Sequence, residues 1–379
     1  MRIDFDQNAT TACAPEVVEA MLPWFTRAGA NPSSTHAGGE EAADALRAAR
    51  SSIARLAGVA PRELVFTSGG TEAIATAIDA ALAARPERPR VVATSVEHAA
   101  VLENLRASGR ELVLLDVDAD GAPREDAARA ALDERCALVC LQLANNELGT
   151  LPELARIAAR AHELGVLVHV DAVQALGKVP VELAGANAPR VDYASFSAHK
   201  LHGPKGAGAL WVRPGSPFTP RQRGGAQEQG RRAGTENLPA LVGFGRAAEL
   251  ARAWLAGPGP TALAALRDRF EAELVRRAGP VRLHARGARR LPNTTNLAFD
   301  GLDAEALLAG LSSAGLLASA GSACHAGARK PSHVLAALGL PPAEAAGTVR
   351  FSLGRGTTPA EVEAGLDLVV DTVRALRAG

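Results

Sequence analysis

Seven short runs rich in valine, leucine and alanine punctuate the first 250 residues. They are ELVFTS (63–68), RVVATS (90–95), ELVLLDV (111–117), ALVCLQL (137–143), GVLVHVD (165–171), DYASFS (192–197) and GALWV (208–212). Most are nearly continuous in apolar residues rather than alternating, the mark of strands covered on both faces. Amphipathic stretches lie between them. In EEAADALRAARSSIARLAG (40–58), Ala42, Ala45, Leu46, Ala49, Ile53 and Leu56 share a helical face, and Gly58 is placed to end the helix. Strands alternating with helices predict an α/β fold with a mainly parallel sheet flanked by helices.

The breaker run AGPGP (256–260) closes a long alanine-rich helical pattern that starts near Leu238 and marks a hinge. Beyond it come a helix (261–278), a strand-like LPNTTNLAF, a helix (303–315), a stretch of small residues around Cys324 and a terminal helix (359–377). That order predicts a smaller α+β domain. The expected division is a large domain over 13–256 and a small one formed by 1–12 and 257–379.

Aromatics are only 3% of the chain against 47% hydrophobic residues, so the core must rest on aliphatic side chains and alanine. Forty-one basic residues balance forty-one acidic ones, with no basic block, which argues against binding nucleic acid by phosphate neutralisation. The segment MRIDFDQNATT lacks the apolar core of a signal peptide, and no apolar run approaches the ~20 residues of a membrane span. The expected location is the cytoplasm. Of the four cysteines, Cys136 and Cys140 lie four apart in one apolar run and are expected on one strand face as small core residues. No metal site is expected.

Ligands of open α/β sheets sit beyond the carboxyl ends of the strands. Three features fall there. Ser68-Gly-Gly-Thr71 stands between a strand and a helix and offers bare N–H groups to a phosphate. Asp171 ends GVLVHVD with Gln174 three residues on, which suits either a helix cap or a partner for a protonated ring nitrogen. Lys200 follows another strand, where it suits either a solvated surface charge or, in a crowded and partly apolar setting that can lower an amine pKa, Schiff-base chemistry. A phosphate cradle, an acid for a pyridinium and an aldehyde-capturing lysine together match pyridoxal 5'-phosphate, and His98 after a further strand supplies a ring to cover it.

The segments FTSGGTEA (66–73), SVEH (95–98), NNELGT (145–150), HVDAVQALGK (169–178), SFSAHKLHGPKGAG (195–208), GGAQEQGRRAGTEN (224–237), GSAC (321–324) and VRFSLGRGTT (349–358), with DQNATT (6–11) at the start, resemble the NifS/IscS-type cysteine desulfurases. These are class V aminotransferase-group enzymes of the pyridoxal-phosphate fold type I, with a seven-stranded central sheet. The resemblance runs from residue 4 to about residue 370. It implies that Lys200 bonds the cofactor, Asp171 holds its ring nitrogen, Gln174 donates to its ring oxygen, and His98 stacks on the ring and moves protons. Gly70, Thr71, Ser197 and His199 would hold the phosphate, joined by Thr235 from the other subunit of a homodimer. Arg350 would grip the substrate carboxylate, helped by Asn146 and Asn31. Cys324 would take sulfur from L-cysteine as a persulfide and swing out to an acceptor such as an iron–sulfur scaffold. The chain departs from the usual family pattern at Gln7, where asparagine is common, and at His325, where serine or threonine is. Alternatives are a selenocysteine lyase or another class V aminotransferase or epimerase, for which a loop thiol has no use in transamination. From another class, a catalytically idle scaffold would not need Lys200, Asp171, His98, Arg350 and Cys324 together.

Overall fold

A computed structural model describes residues 2–185, 188–321 and 332–378. The first strand, β1 (Ile3–Asp4), belongs to a small sheet, and the next seven build the large one. These are β2 (Leu64–Thr67), β3 (Arg90–Thr94), β4 (Glu111–Leu115), β5 (Cys136–Gln142), β6 (Leu167–Asp171), β7 (Tyr193–Ser197) and β8 (Gly208–Val212). Their order is β2-β8-β7-β6-β5-β3-β4, and every pairing is parallel except the two made by β8. The seven apolar runs are therefore the seven strands. The carboxyl ends of β2, β3, β5, β6 and β7 share one edge.

Helices cover both faces of this sheet, so each face carries its own aliphatic core. The helix Ala37–Ala57 buries the predicted stripe, and Gly58 ends it at φ 66° in the left-handed conformation that glycine adopts without a Cβ penalty. Cys136 and Cys140 do not share a face. Cys136 joins the core containing Val139 and Leu141, whereas Cys140 joins the core containing Leu138. The cause is an irregularity at Ala137: Arg90 pairs with Cys136 but Val91 pairs with Leu138, and the extra residue inverts the alternation.

The later strands are β9 (Val281–Leu283), β10 (Thr294–Phe299), β11 (Leu316–Leu317) and β12 (Thr348–Ser352). An antiparallel sheet β12-β10-β9 and the parallel pair β1-β11 pack with helices Gly259–Arg277, Ala304–Ser313 and Pro359–Ala378 around a separate core of Phe5, Phe270, Phe299 and Phe351. The run AGPGP is a tight joint: one helix ends at Ala256 and the next begins at Gly259. The N-terminal strand carries Ile3 and Phe5 into this second core. The chain then crosses to the edge of the large sheet, where Asn8 and Ala9 enter a cavity.

Candidate active site

The cavity has room for about 220 Å³ and opens where the strands of the large sheet end. Most of the lining comes from strand ends and the residues just beyond them. Helix Gly70–Ala83 starts three residues after β2 and aims its free N–H groups inward from Gly70 and Thr71. A Cβ on Gly70 would lie 2.8 Å from Val173 Cγ2, so the absence of a side chain lets the helix end seat against the turn after β6. We expect Gly70→Ala to cost about 1–3 kcal/mol of stability and to weaken cofactor binding. Adding Val173→Ala should recover most of both losses, measured by melting and by cofactor titration.

His98 caps helix Ala99–Ala107, and its Nδ1 accepts from the Ala100 N–H at 3.0 Å, which fixes the ring's direction over the cavity. Asp171, the last residue of β6, is 8% exposed, and its Oδ1 accepts from the Val173 N–H at 2.9 Å. Burial pushes its pKa up, while His98 and Lys200 pull the other way. A bound cation between those groups would hold it ionised. Gln142 ends β5 and Ala144 follows it, and Gln174 lies three residues beyond Asp171. The single turn Ala198–Lys200 after β7 carries both His199 and Lys200. His199 Nδ1 lies 3.1 Å from Thr10 Oγ1, and burial with Lys200, Lys205 and Lys178 nearby lowers its pKa to about 4. Lys200 Nζ donates to the carbonyls of Asn8 at 2.7 Å and Ala9 at 2.8 Å.

Arg350 reaches the cavity from β12 in the second core and is 1% exposed. Its Nη1 donates to the Asn146 carbonyl at 3.1 Å, and its Nη2 pairs with Asp6 at 2.6 Å. Among the described residues, its buried Nε makes no hydrogen bond.

Gly70, Thr71, His98, Asn146, Asp171, Gln174, Ser197, His199, Lys200 and Arg350 thus line one cavity. Two candidates lie elsewhere. Asn31 is exposed and its Oδ1 accepts from the Ser33 N–H at 2.9 Å, while Thr235 is exposed on a loop outside the cavity lining. Cys324 and His325 lie outside the described residues. Asn8, within DQNATT, is a further buried residue of the cavity wall that no sequence pattern singles out. Its Nδ2 donates to the Asn146 carbonyl and Thr294 Oγ1, and its Oδ1 accepts from Lys178 and Asn293, tying the strap to both sheets.

The aminotransferase class-V family model matches residues 3–364. The chain belongs to that family. A cysteine desulfurase of Cereibacter sphaeroides is 49% identical over 99% of this chain and 97% of its own length. One of Bradyrhizobium diazoefficiens is also 49% identical, over 99% of this chain and 95% of its own. A solved structure described as a NifS-like protein superposes with a TM-score of 0.91 at 34% identity, covering 99% of this chain and all of that one. Class V aminotransferases and their cysteine desulfurases use pyridoxal 5'-phosphate. The donor set fits that cofactor: N–H groups at a helix start, a buried carboxylate, an imidazole and a lysine converge on one space.

Proposed function

We propose that this chain desulfurates L-cysteine, releasing L-alanine and passing the sulfur through Cys324 to an acceptor protein. The observation that carries this reading is the convergence of Lys200, Asp171, His98 and Arg350 on one cavity in a chain nearly half identical to cysteine desulfurases. Gly70, Thr71, Ser197 and His199 would hold the cofactor's phosphate, Lys200 its aldehyde carbon, Asp171 its ring nitrogen, Gln174 its ring oxygen, and His98 its face. When bound, the cofactor supplies an electron sink for the carbon next to the substrate amine.

The chain's residues do the rest. Arg350 would receive the substrate carboxylate, with Asn146 beside it, and so orient the amino acid over the cavity. Lys200 would be the base that removes the α-proton. His98 exchanges protons at the substrate. The Cys324 thiolate attacks the substrate sulfur; an S–S bond forms, the C–S bond breaks, and the β-carbon keeps the bonding pair and gains a proton to become the methyl group of alanine.

A homodimer is part of the proposal. Val18, Leu22 and Phe25 are 42, 58 and 65% exposed along one short helical stretch, an apolar stripe that a second copy would cover. Thr235 and Asn31, exposed in their own chain, would then serve the neighbouring site. Among the described residues, no helix is long and apolar enough to cross a membrane. A cytoplasmic role in iron–sulfur or thio-cofactor assembly fits these features.

The test is stoichiometric release of alanine from L-cysteine with one added sulfur on Cys324 by mass spectrometry. Release of pyruvate and ammonia, or no reaction with the cofactor bound, would overturn the proposal. Arg350→Gln is expected to raise KM for cysteine about a hundredfold while the cofactor stays bound. An unchanged KM would remove Arg350 from substrate binding.

A further inference from the structure

Lys178 is a buried amine outside the cavity. It is 8% exposed, and burial with Lys200 and Arg350 nearby holds its pKa well below the usual lysine range. Its Nζ donates to Asn8 Oδ1 at 2.8 Å and to Gln174 Oε1. Charged or neutral, an amine carries at least the two N–H groups these contacts use.

The contacts decide which way the Gln174 amide points. Gln174 Nε2 donates to the Asn8 carbonyl at 3.0 Å, the same oxygen that accepts from Lys200 Nζ. Flipping the amide would turn its oxygen toward the Asn8 carbonyl, a repulsive contact in place of a bond, and would take the acceptor Oε1 away from the Lys178 N–H. Asn8 cannot turn to relieve this. Its Oδ1 also accepts from Asn293 at 3.1 Å, and its Nδ2 donates to Asn146 and Thr294.

We infer that Lys178 is a positioning residue that locks Gln174 with its NH2 toward the cavity, so the cofactor's ring oxygen always meets a donor beside the bonding lysine. The inference rests on Gln174 being the partner of that oxygen. A donor there favours the oxygen as an anion, and an acceptor would oppose it. Lys178 thereby influences the cofactor's electronic state without touching it.

The test titrates apo-protein with pyridoxal 5'-phosphate and reads the dissociation constant and the visible absorption maximum of the bound cofactor. It compares wild type, Lys178→Met, Gln174→Leu and the double variant. Lys178→Met is expected to weaken binding about tenfold and to shift the band, and the double variant is expected to match Gln174→Leu alone. A merely structural lysine would lower the melting temperature and leave the band in place. If Gln174→Leu alters binding and Lys178→Met does not, or if the two losses multiply, this inference is overturned. If Gln174→Leu itself changes nothing, the assignment of Gln174 falls and takes the inference with it. Lys178→Gln, which keeps a donor on a shorter arm, covers a Lys178→Met that does not fold. Its smaller shift should vanish on the Gln174→Leu background, and persistence there also overturns the inference.

Discussion

Lys200→Ala is expected to abolish alanine release, by about 10⁴-fold or more, while the protein still folds and still takes up pyridoxal 5'-phosphate. The expectation separates two jobs that the fold gives to different elements. In the proposed reaction the phosphate would be held by the start of helix Gly70–Ala83, by Ser197 and by His199, and not by Lys200. The proposed reaction gives both the covalent link and the base for the α-proton to Lys200. The fold should survive because the Asn8 carbonyl keeps Gln174 Nε2 as a donor when Lys200 Nζ is lost. The Ala9 carbonyl loses its Lys200 bond, a cost of about 1 kcal/mol. Borohydride reduction gives a direct readout. It should fix the cofactor to the wild-type chain at Lys200 and leave it removable by denaturation in Lys200→Ala. A cofactor fixed equally well in the variant would place the bonding lysine elsewhere.

Much of the site was legible because strand ends advertise themselves. Asp171 and Ser197 each close an apolar run, and a parallel sheet brings such ends to one edge whatever its strand order. His98 and Lys200 needed only that rule and their place one turn further on. Arg350 did not follow from it. It reaches the cavity from β12 in the other core, and only the resemblance to a family pointed there. Asn8 and Lys178 went unnoticed for a similar reason. A buried asparagine in an N-terminal strap and a lysine after a glycine look like surface residues until the strap is seen crossing between two sheets. The mistaken face of Cys136 has another origin. Period-two counting assumes a regular ladder, and one extra residue at Ala137 inverts every side chain before it relative to those after. Asn31 and Thr235 mark a different limit: both are exposed outside the cavity of their own chain, and only the resemblance to a family pointed to them.

Cys324→Ser is expected to reduce alanine release by about 10³-fold or more without impairing substrate binding. The step needs a soft, ionised nucleophile. A free thiol of pKa ~8.5 is a few per cent thiolate near neutral pH, whereas a serine hydroxyl stays protonated and is a poor match for sulfur. None of the other cysteines can stand in. Burial pushes the thiols of Cys136 and Cys140 up, and both are wholly enclosed in the two cores of the large sheet. Cys13 packs against the edge of one core with its pKa also raised by burial, and it does not line the cavity. Cys13→Ser should therefore leave turnover unchanged, which makes it the control. In Cys324→Ser, adding L-cysteine should still perturb the cofactor's visible spectrum, because Lys200, Asp171 and Arg350 are intact, but alanine should not follow. Wild-type rates of alanine release from Cys324→Ser would mean that sulfur leaves the substrate without a protein thiol. The small-residue stretch around Cys324 would then have no part in the chemistry.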